Sequence, residues 1–240
     1  MTSPLNGNGF WQKPIKKTLY LLNVNNYAPE IREITWPLIK HYAKKIGAEI
    51  FEITERKFPD WPPVYEKMQI YELAREHHND WNMYIDSDAL IHPDLMDMTL
   101  YYQKDTVAHW GHDVAENRWT TDRYFWRDGR HIGSCNWFTM ASDWCIELWK
   151  PLEDLTREEA IRNIWPIVQE LKTVITPEHL IDDYTLSRNI ARYGFKFRNF
   201  KETFRSLGYT EAAFVWHQYQ MPIEQKVIEM RRVLKQWGVD

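Results

Sequence analysis

Cysteine is nearly missing from this chain: 240 residues carry two, Cys135 and Cys145. Two thiols cannot build the disulfide framework of a small secreted domain, and they lack metal-site spacing, so both are expected as buried free thiols in a reducing compartment. Long apolar runs are missing too. No stretch approaches the roughly 18 residues that span a bilayer, and the opening MTSPLNGNGFWQKPIKK holds no apolar segment of signal-peptide length. A soluble, cytoplasmic protein without a transmembrane segment is predicted, with room only for peripheral attachment to a membrane. Charge of one sign is nowhere concentrated. The net charge is -4, lysine and arginine are interleaved with acidic residues, and no block resembles a basic arm or an acidic tail, which argues against a nucleic-acid partner. Neither a GxGxxG turn nor a P-loop occurs, so a phosphate-bearing ligand would have to be held by a metal and scattered side chains rather than by a glycine cradle. Internal repeats and low-complexity segments are also absent.

Aromatic residues, in contrast, are abundant, with 13 Trp and 13 Tyr. Most of these rings must be core, because each buries a large area, but the surplus also suits a concave site that grips a flat or amphipathic ligand. A chain of this length predicts one domain burying roughly 70–75% of its unfolded surface. Residues 1–16, rich in Gly, Asn, Pro and Lys, read as an N-terminal tail. TLYLLNVN (18–25) is a short apolar run bounded by polar residues, as a buried strand should be. PEIREITWPLIKHYAKKIG follows with Ile31, Ile34, Leu38, Tyr42 and Ile46 at helical spacing and stops on Gly47. AEIFEITE (48–55) alternates like a strand, VYEKMQIYELAREHHND is helical in pattern, and WNMYI (81–85) is apolar throughout. Strand, helix, strand, helix, strand predicts an α/β fold with a mostly parallel central sheet flanked by helices. Further along, TVAHWGHD, SCNWFTMA, GFKFRN and AAFVWHQY are strand candidates, and helices are expected near 157–173 and 178–193. IEQKVIEMRRVLKQW is an amphipathic terminal helix whose Ile223, Val227, Met230, Leu234 and Trp237 form a core-packing face rather than a membrane-binding one.

The apolar strand 81–85 runs directly into Asp86 and Asp88, separated by Ser87. A bare Asp-x-Asp carries little weight, since chance supplies about one such spacing in a chain with this much aspartate. Position gives it meaning. In parallel α/β sheets ligands bind outside the carboxyl ends of the strands, and residues i and i+2 of an extended segment point to the same side. Two carboxylates so placed repel unless a cation or proton intervenes, and a hard divalent metal with oxygen ligands is the simplest resolution. The competing reading has Ser87 or Asp88 capping a helix that begins near His92, with Asp86 bonded to a neighbouring turn. The apolar strand and the third βα unit favour the metal.

With the helix EKMQIYEL, the strand WNMYIDSDALI and the later GSCNWFTMASDWCIELW, residues 17–220 resemble the GT-A glycosyltransferases, nearest to the galactosyl and xylosyl transferase group. The resemblance implies a Rossmann-like nucleotide-diphospho-sugar transferase domain over 17–240. Its nucleotide-binding half would be 17–110, its acceptor-binding half 111–220 and its C-terminal helix 221–240. It implies a nucleotide-sugar donor, with a UDP-sugar favoured, a glycan or other hydroxyl acceptor, and Mn²⁺ or Mg²⁺ bridging the donor diphosphate. Asp88 would then be the firmer metal ligand, with Asp86 touching metal or ribose, and His217 in FVWHQYQMP would complete the shell. His109 and His112 in AHWGHD compete for that place. Independently of any family, cleavage of a sugar from a nucleoside diphosphate builds negative charge on the leaving phosphate, and a metal clamped between its oxygens stabilises that charge.

EHLIDDYTLSRNIARYGFKF (178–197) places an acidic pair at a helix start, where acidic residues are also ordinary dipole partners. Matched to an inverting pattern, Asp183 would be the general base that deprotonates the acceptor. Matched to a retaining one, Asp182 would lie near the anomeric carbon. The departures from both patterns leave the stereochemistry open, with a lean to Asp183. Asn23, Asn25 and Tyr27 close the first strand, where a base or ribose would lie, and Lys67 could reach the diphosphate. The segment from Asp113 to His131, with Trp119, Tyr124, Trp126 and Arg127, reads as a lid or a surface loop. Trp110 and Trp137 are candidate sugar-stacking platforms as well as candidate core. Two rival functions share these residues. One is a metal-dependent phosphatase or nucleotidyltransferase, of which the haloacid-dehalogenase type would carry its Asp-x-Asp after the first strand rather than the third. The other is a non-catalytic nucleotide or sugar-binding module of the same fold.

Overall fold

Period-two burial builds the centre of the molecule. The computed structural model describes residues 13–113, 132–164, 176–218 and 221–239, with the side chains of 112–113, 132–136 and 177 left out of that description. β1 (Lys17–Leu22) and β3 (Trp81–Ile85) pair in parallel, with Leu19 opposite Met83 and Tyr20 opposite Tyr84. Successive side chains of a strand face opposite sides of the sheet. Tyr20 and Tyr84 accordingly enter one core, while Leu19, Leu21, Met83 and Ile85 enter the other. A strand flanked by two cores has no reason to alternate polar with apolar residues, which is why WNMYI reads as a continuous apolar run.

Six strands form the main sheet in the order β2-β1-β3-β6-β5-β7. Besides β1 and β3 these are β2 (Ala48–Ile53), β5 (Thr106–Asp113), β6 (Ile132–Ser142) and β7 (Lys196–Asn199), with β2 and β7 at the edges. β2 and β3 both run parallel to β1, and β7 runs parallel to β5; β6 alone is antiparallel to its neighbours β3 and β5. This is the expected mixed α/β architecture, a mostly parallel sheet with helices on its faces. α1 (Pro29–Ile46) buries Ile31, Leu38, Ile39, Tyr42 and Ile46, and ends at Gly47, whose φ of 68° lets its N–H return to the carbonyls of Ala43 and Lys44. On the other face lie α2 (Ile70–His77) and α4 (Ile181–Tyr193). α3 (Arg157–Ile164) packs on α4, and α5 (Phe200–Ser206) puts Phe200 and Phe204 into the core shared with α1.

A second, two-stranded ribbon joins β4 (Leu90–Ile91) to β8 (Val215–Trp216), antiparallel, with Leu90 opposite Trp216 and Ile91 opposite Val215. α6 (Ile223–Trp237) closes over it, so that Leu90, Met230 and Val233 share a small core with Ala28, Ile31 and Leu38 of the α1 region. Core packing of this helix is as expected, although its most buried residues are Lys226, Met230 and Val233, one step round from the face drawn on the sequence.

Several local readings change. VYEKMQIYELAREHHND is not one helix, since Pro63–Gln69 is a 3-10 segment that feeds α2. No helix starts near His92, where the chain continues from β4 into turns and then a 3-10 turn at Met98–Leu100, so neither Ser87 nor Asp88 is a helix cap there. α5 was not anticipated. Cys145 is a buried free thiol, while the side chain of Cys135 and the expected lid with Trp119, Tyr124, Trp126 and Arg127 lie outside the described residues. No helix among the described residues is long and apolar enough to cross a membrane.

Candidate metal and donor site

The aspartates leave the carboxyl end of β3 in a tight turn rather than an extended segment. Ala89 N–H donates to the Asp86 carbonyl at 3.0 Å, which closes residues 86–89, and Asp86 N–H donates to the Trp137 carbonyl at 2.7 Å. From α1, Thr35 Oγ1 donates to the Ser87 carbonyl at 2.6 Å and pins the middle of the turn. The two carboxylates therefore converge because the turn folds them together, and not through strand periodicity.

The ribbon supplies the third member. Continuing the β4–β8 register by one residue sets His217 across from Ala89, beside Asp88. His217 Nε2 lies 3.2 Å from Asp88 Oδ1 and 3.8 Å from Asp86 Oδ2. Asp86, Asp88 and His217 can each offer one ligand atom with all of these atoms within 4.8 Å of one another. Trp137 lies flat against the imidazole, ring centroids 4.6 Å apart and planes 17° from parallel, and Trp110 meets Trp137 edge-on at 6.0 Å. Trp137 is 7% exposed; it packs on His217, and Trp110 packs behind it on Trp137 and Phe204.

Each carboxylate has its other oxygen occupied. Asp86 Oδ1 accepts from Tyr84 Oη at 2.5 Å and lies 3.2 Å from Lys67 Nζ. Asp88 Oδ2 accepts from Lys226 Nζ at 2.6 Å. Burial, with the charge of Asp86 added, holds the Tyr84 phenol well above its ordinary range, so it stays a donor. For Asp88, burial works against the charged form, but the hydrogen bond from His217 and the charges of His217 and Lys226 outweigh it and hold the carboxyl well below the usual range.

Lys67 links this cluster to the acidic pair on α4. Its ammonium donates to Asp182 Oδ2 at 2.6 Å and lies 4.7 Å from the centre of the Tyr84 ring. Burial alone would lower its affinity for a proton; Asp182 and Asp86 reverse this and keep it charged. Asp182 Oδ1 also accepts the Asp183 N–H at 3.0 Å, and both carboxylates are buried. Lys67 is thus engaged by carboxylates rather than standing out into a cleft.

At the end of β1, on the same edge of the sheet, Asn23 Nδ2 approaches Glu52 at 3.4 Å and Arg32 pairs with Glu52. A small cleft there is lined by Asn23, Arg32, Glu52 and Ser87 among others. Asn25, Asn26 and Ala28 all take positive φ (62°, 49° and 47°), a conformation that non-glycine residues rarely hold without constraint, and Tyr27 between them is 57% exposed. His109 is elsewhere, buried on β5 with its ring 4.3 Å from that of Phe197; the side chain of His112 lies outside the described residues.

Sequence reasoning missed Tyr84, Lys226, Arg32 and Glu52. Tyr84 was open to discovery as the residue two before Asp86. Lys226 stands four before Met230 and seven before Val233, a lysine in an apolar stripe, which is the signal of a buried charge with a partner.

The donor set fits a divalent cation. Asp86 Oδ2, Asp88 Oδ1 and His217 Nε2 face one another, two carboxylate oxygens and an imidazole nitrogen close enough to share one ion. Two carboxylates and an imidazole could hold a divalent metal ion.

No protein-family model matches the sequence, and no curated protein matches it. Among solved structures, the chain is similar to the crystal structure of a glycosyltransferase involved in the glycosylation of the major capsid of PBCV-1, with a TM-score of 0.52. The match spans 90% of this chain and 99% of that one at 13% identity. Likeness at that identity is likeness of fold.

Proposed function

We propose that this chain is a metal-dependent glycosyltransferase, in which residues 17–240 act as one catalytic domain that moves a sugar from a nucleoside diphosphate to an acceptor hydroxyl. The convergence of Asp86, Asp88 and His217 from two distant parts of the chain, at the carboxyl end of a central strand, carries this reading. The glycosyltransferase fold of the structural neighbour supports it. Mn²⁺ or Mg²⁺ held there would act as a Lewis acid on the leaving diphosphate.

The chain's own residues supply the rest. In the recess, Asn23 Nδ2 and Arg32 both bond the carboxylate of Glu52, and a bound base would take over these bonds, with amide and guanidinium donors on either side of a carboxylate acceptor. That pattern complements the acceptor–donor–acceptor edge of uracil, and Tyr27 is exposed beside it, which favours a UDP-sugar. Asp182, which shares Lys67 with the metal ligand Asp86, suits the carboxylate that faces the sugar. Asp183 is the proposed base for the acceptor hydroxyl. Trp137 acts in this reading by orienting His217, with Trp110 backing it. In a nearer assignment than the fold alone allows, the enzyme belongs with the galactosyl and xylosyl transferases.

Calorimetric titration with UDP and with GDP, each with and without MnCl₂, tests the donor half. Nucleotide binding that survives chelation of the metal, with no loss in Asp88→Asn, would remove the metal centre from the mechanism. Scoring a panel of nucleotide sugars for metal-dependent release of nucleoside diphosphate tests catalysis. Asp183→Asn should bind donor as the wild type does and fail to transfer; unchanged transfer would strike Asp183 from the role of base.

A further inference from the structure

We propose that Lys226 sets the metal preference of this centre by holding Asp88 to coordination through a single oxygen, favouring a small octahedral cation over calcium; the proposal rests on the metal-site reading above. Of the four carboxylate oxygens, Asp86 Oδ1 is engaged by Tyr84 and Lys67, and Asp88 Oδ2 by Lys226. Asp86 Oδ2 and Asp88 Oδ1 are the two that face His217, at 3.8 and 3.2 Å. Each carboxylate is therefore presented edge-first. Calcium takes six to eight oxygens and accepts carboxylates through both of theirs, whereas magnesium demands near-octahedral geometry with short bonds. A centre that withholds the second oxygen of each aspartate therefore denies calcium its usual means of filling a large shell.

The two clamps differ in what can be learned from them. Lys67 is tied to Asp182 as well, so its removal disturbs the acidic pair. Lys226 bonds Asp88 at 2.6 Å, is 3% exposed, and leaves from the first turn of α6, whose packing against α1 and β4 fixes where its ammonium lies. It acts on the metal through Asp88 and is a positioning residue. Its ammonium also lowers the attraction of Asp88 for any cation, so replacing it with a neutral side chain should raise calcium affinity while loosening the geometry that manganese uses.

The test is calorimetric titration of the full chain with MnCl₂ and with CaCl₂, in the absence of nucleotide, for the wild type, Lys226→Met and Lys226→Arg. Methionine keeps the apolar stem and arginine keeps the charge. Lys226→Met should lower the ratio of manganese to calcium affinity about tenfold, the scale on which partners of metal ligands act, and Lys226→Arg should retain the wild-type ratio. A wild-type protein that binds manganese, with an unchanged ratio in Lys226→Met, overturns the role of Lys226 and leaves the metal centre standing. Wild-type protein that binds no manganese overturns the metal centre itself; a gain of manganese binding in Lys226→Met would then show the ammonium standing in for the metal, which also defeats the proposal. If the methionine variant does not fold, infrared difference spectra of the manganese-loaded wild type decide: one-oxygen carboxylate bands support the assignment, and two-oxygen bands overturn it.

Discussion

Single residues in this molecule carry charge into places that water does not reach. Lys67 is 2% exposed and Asp182 is not exposed at all. A buried pair of this kind contributes little net stability over apolar substitutes, yet breaking it by removing one partner strands the other charge. Lys67→Met should therefore cost about 3–5 kcal/mol, measured by urea denaturation, and the double variant Lys67→Met with Asp182→Leu should recover much of that loss. Equal loss in single and double variants would show that the ion pair is not the source. Cys145 is the opposite kind of buried group, one kept neutral. Burial, aided by the nearby charges of Asp105, Glu147 and Asp143, pushes its thiol up to about 12. Near pH 8 its thiolate is then about a thousandfold scarcer than that of an ordinary cysteine. Iodoacetamide followed by peptide mapping should find the Cys145 peptide unmodified in folded protein and modified in urea.

Among the elements, α6 and the β4–β8 ribbon bear most directly on the site, because they turn two remote segments into neighbours. Met230, wholly buried, sits where α6 meets α1 and β4. Met230→Ala should destabilise the fold by about 2–5 kcal/mol and weaken manganese binding alongside, since α6 carries Lys226 and covers the ribbon that presents His217. Retained metal affinity in a destabilised Met230→Ala protein would separate the helix from the site. This is also the scale at which the sequence was clearest and then stopped being so. Apolar runs and helical spacing revealed β1, β3, α1 and α6 because burial writes its period into each segment. Of the ribbon only β8 left a trace, inside the strand candidate AAFVWHQY; β4, two residues long, is too short for any period to show. His217 was nameable as a candidate, but its partners follow from the pairing of Leu90 with Trp216, which no local pattern encodes. Lys226 carried a signal in its spacing to Met230 and Val233, but its partner was hidden for a related reason. The carboxylate that the fold sets against it lies 138 positions away, and no local pattern names it.

For the molecule as a whole, binding to the folded state alone must show as stability. Manganese and UDP together, at about a hundred times their dissociation constant, should add about 2.7 kcal/mol, or a rise in melting temperature of roughly 5–11 °C for a protein of this size, reversed by EDTA. GDP in place of UDP should give a smaller rise if the recess beside Glu52 reads the base as proposed. No shift with manganese and any nucleotide would leave the fold without its function. The architecture itself was readable from the alternation of strands and helices. The reversal at β6 was not, since a strand's direction is a property of its connections.

Lys226 and Asp88 stand 138 residues apart in the chain, and the ribbon beside them is two residues deep. A cation gripped there would act as a rivet across one of the longest closures in the protein, so that the C-terminal segment and the metal come and go as one event. Chelation should therefore accelerate amide exchange in Val215–Trp216 and the first turns of α6 well before it touches β1 or β3, and the ion would serve as the fold's latch as well as its reagent.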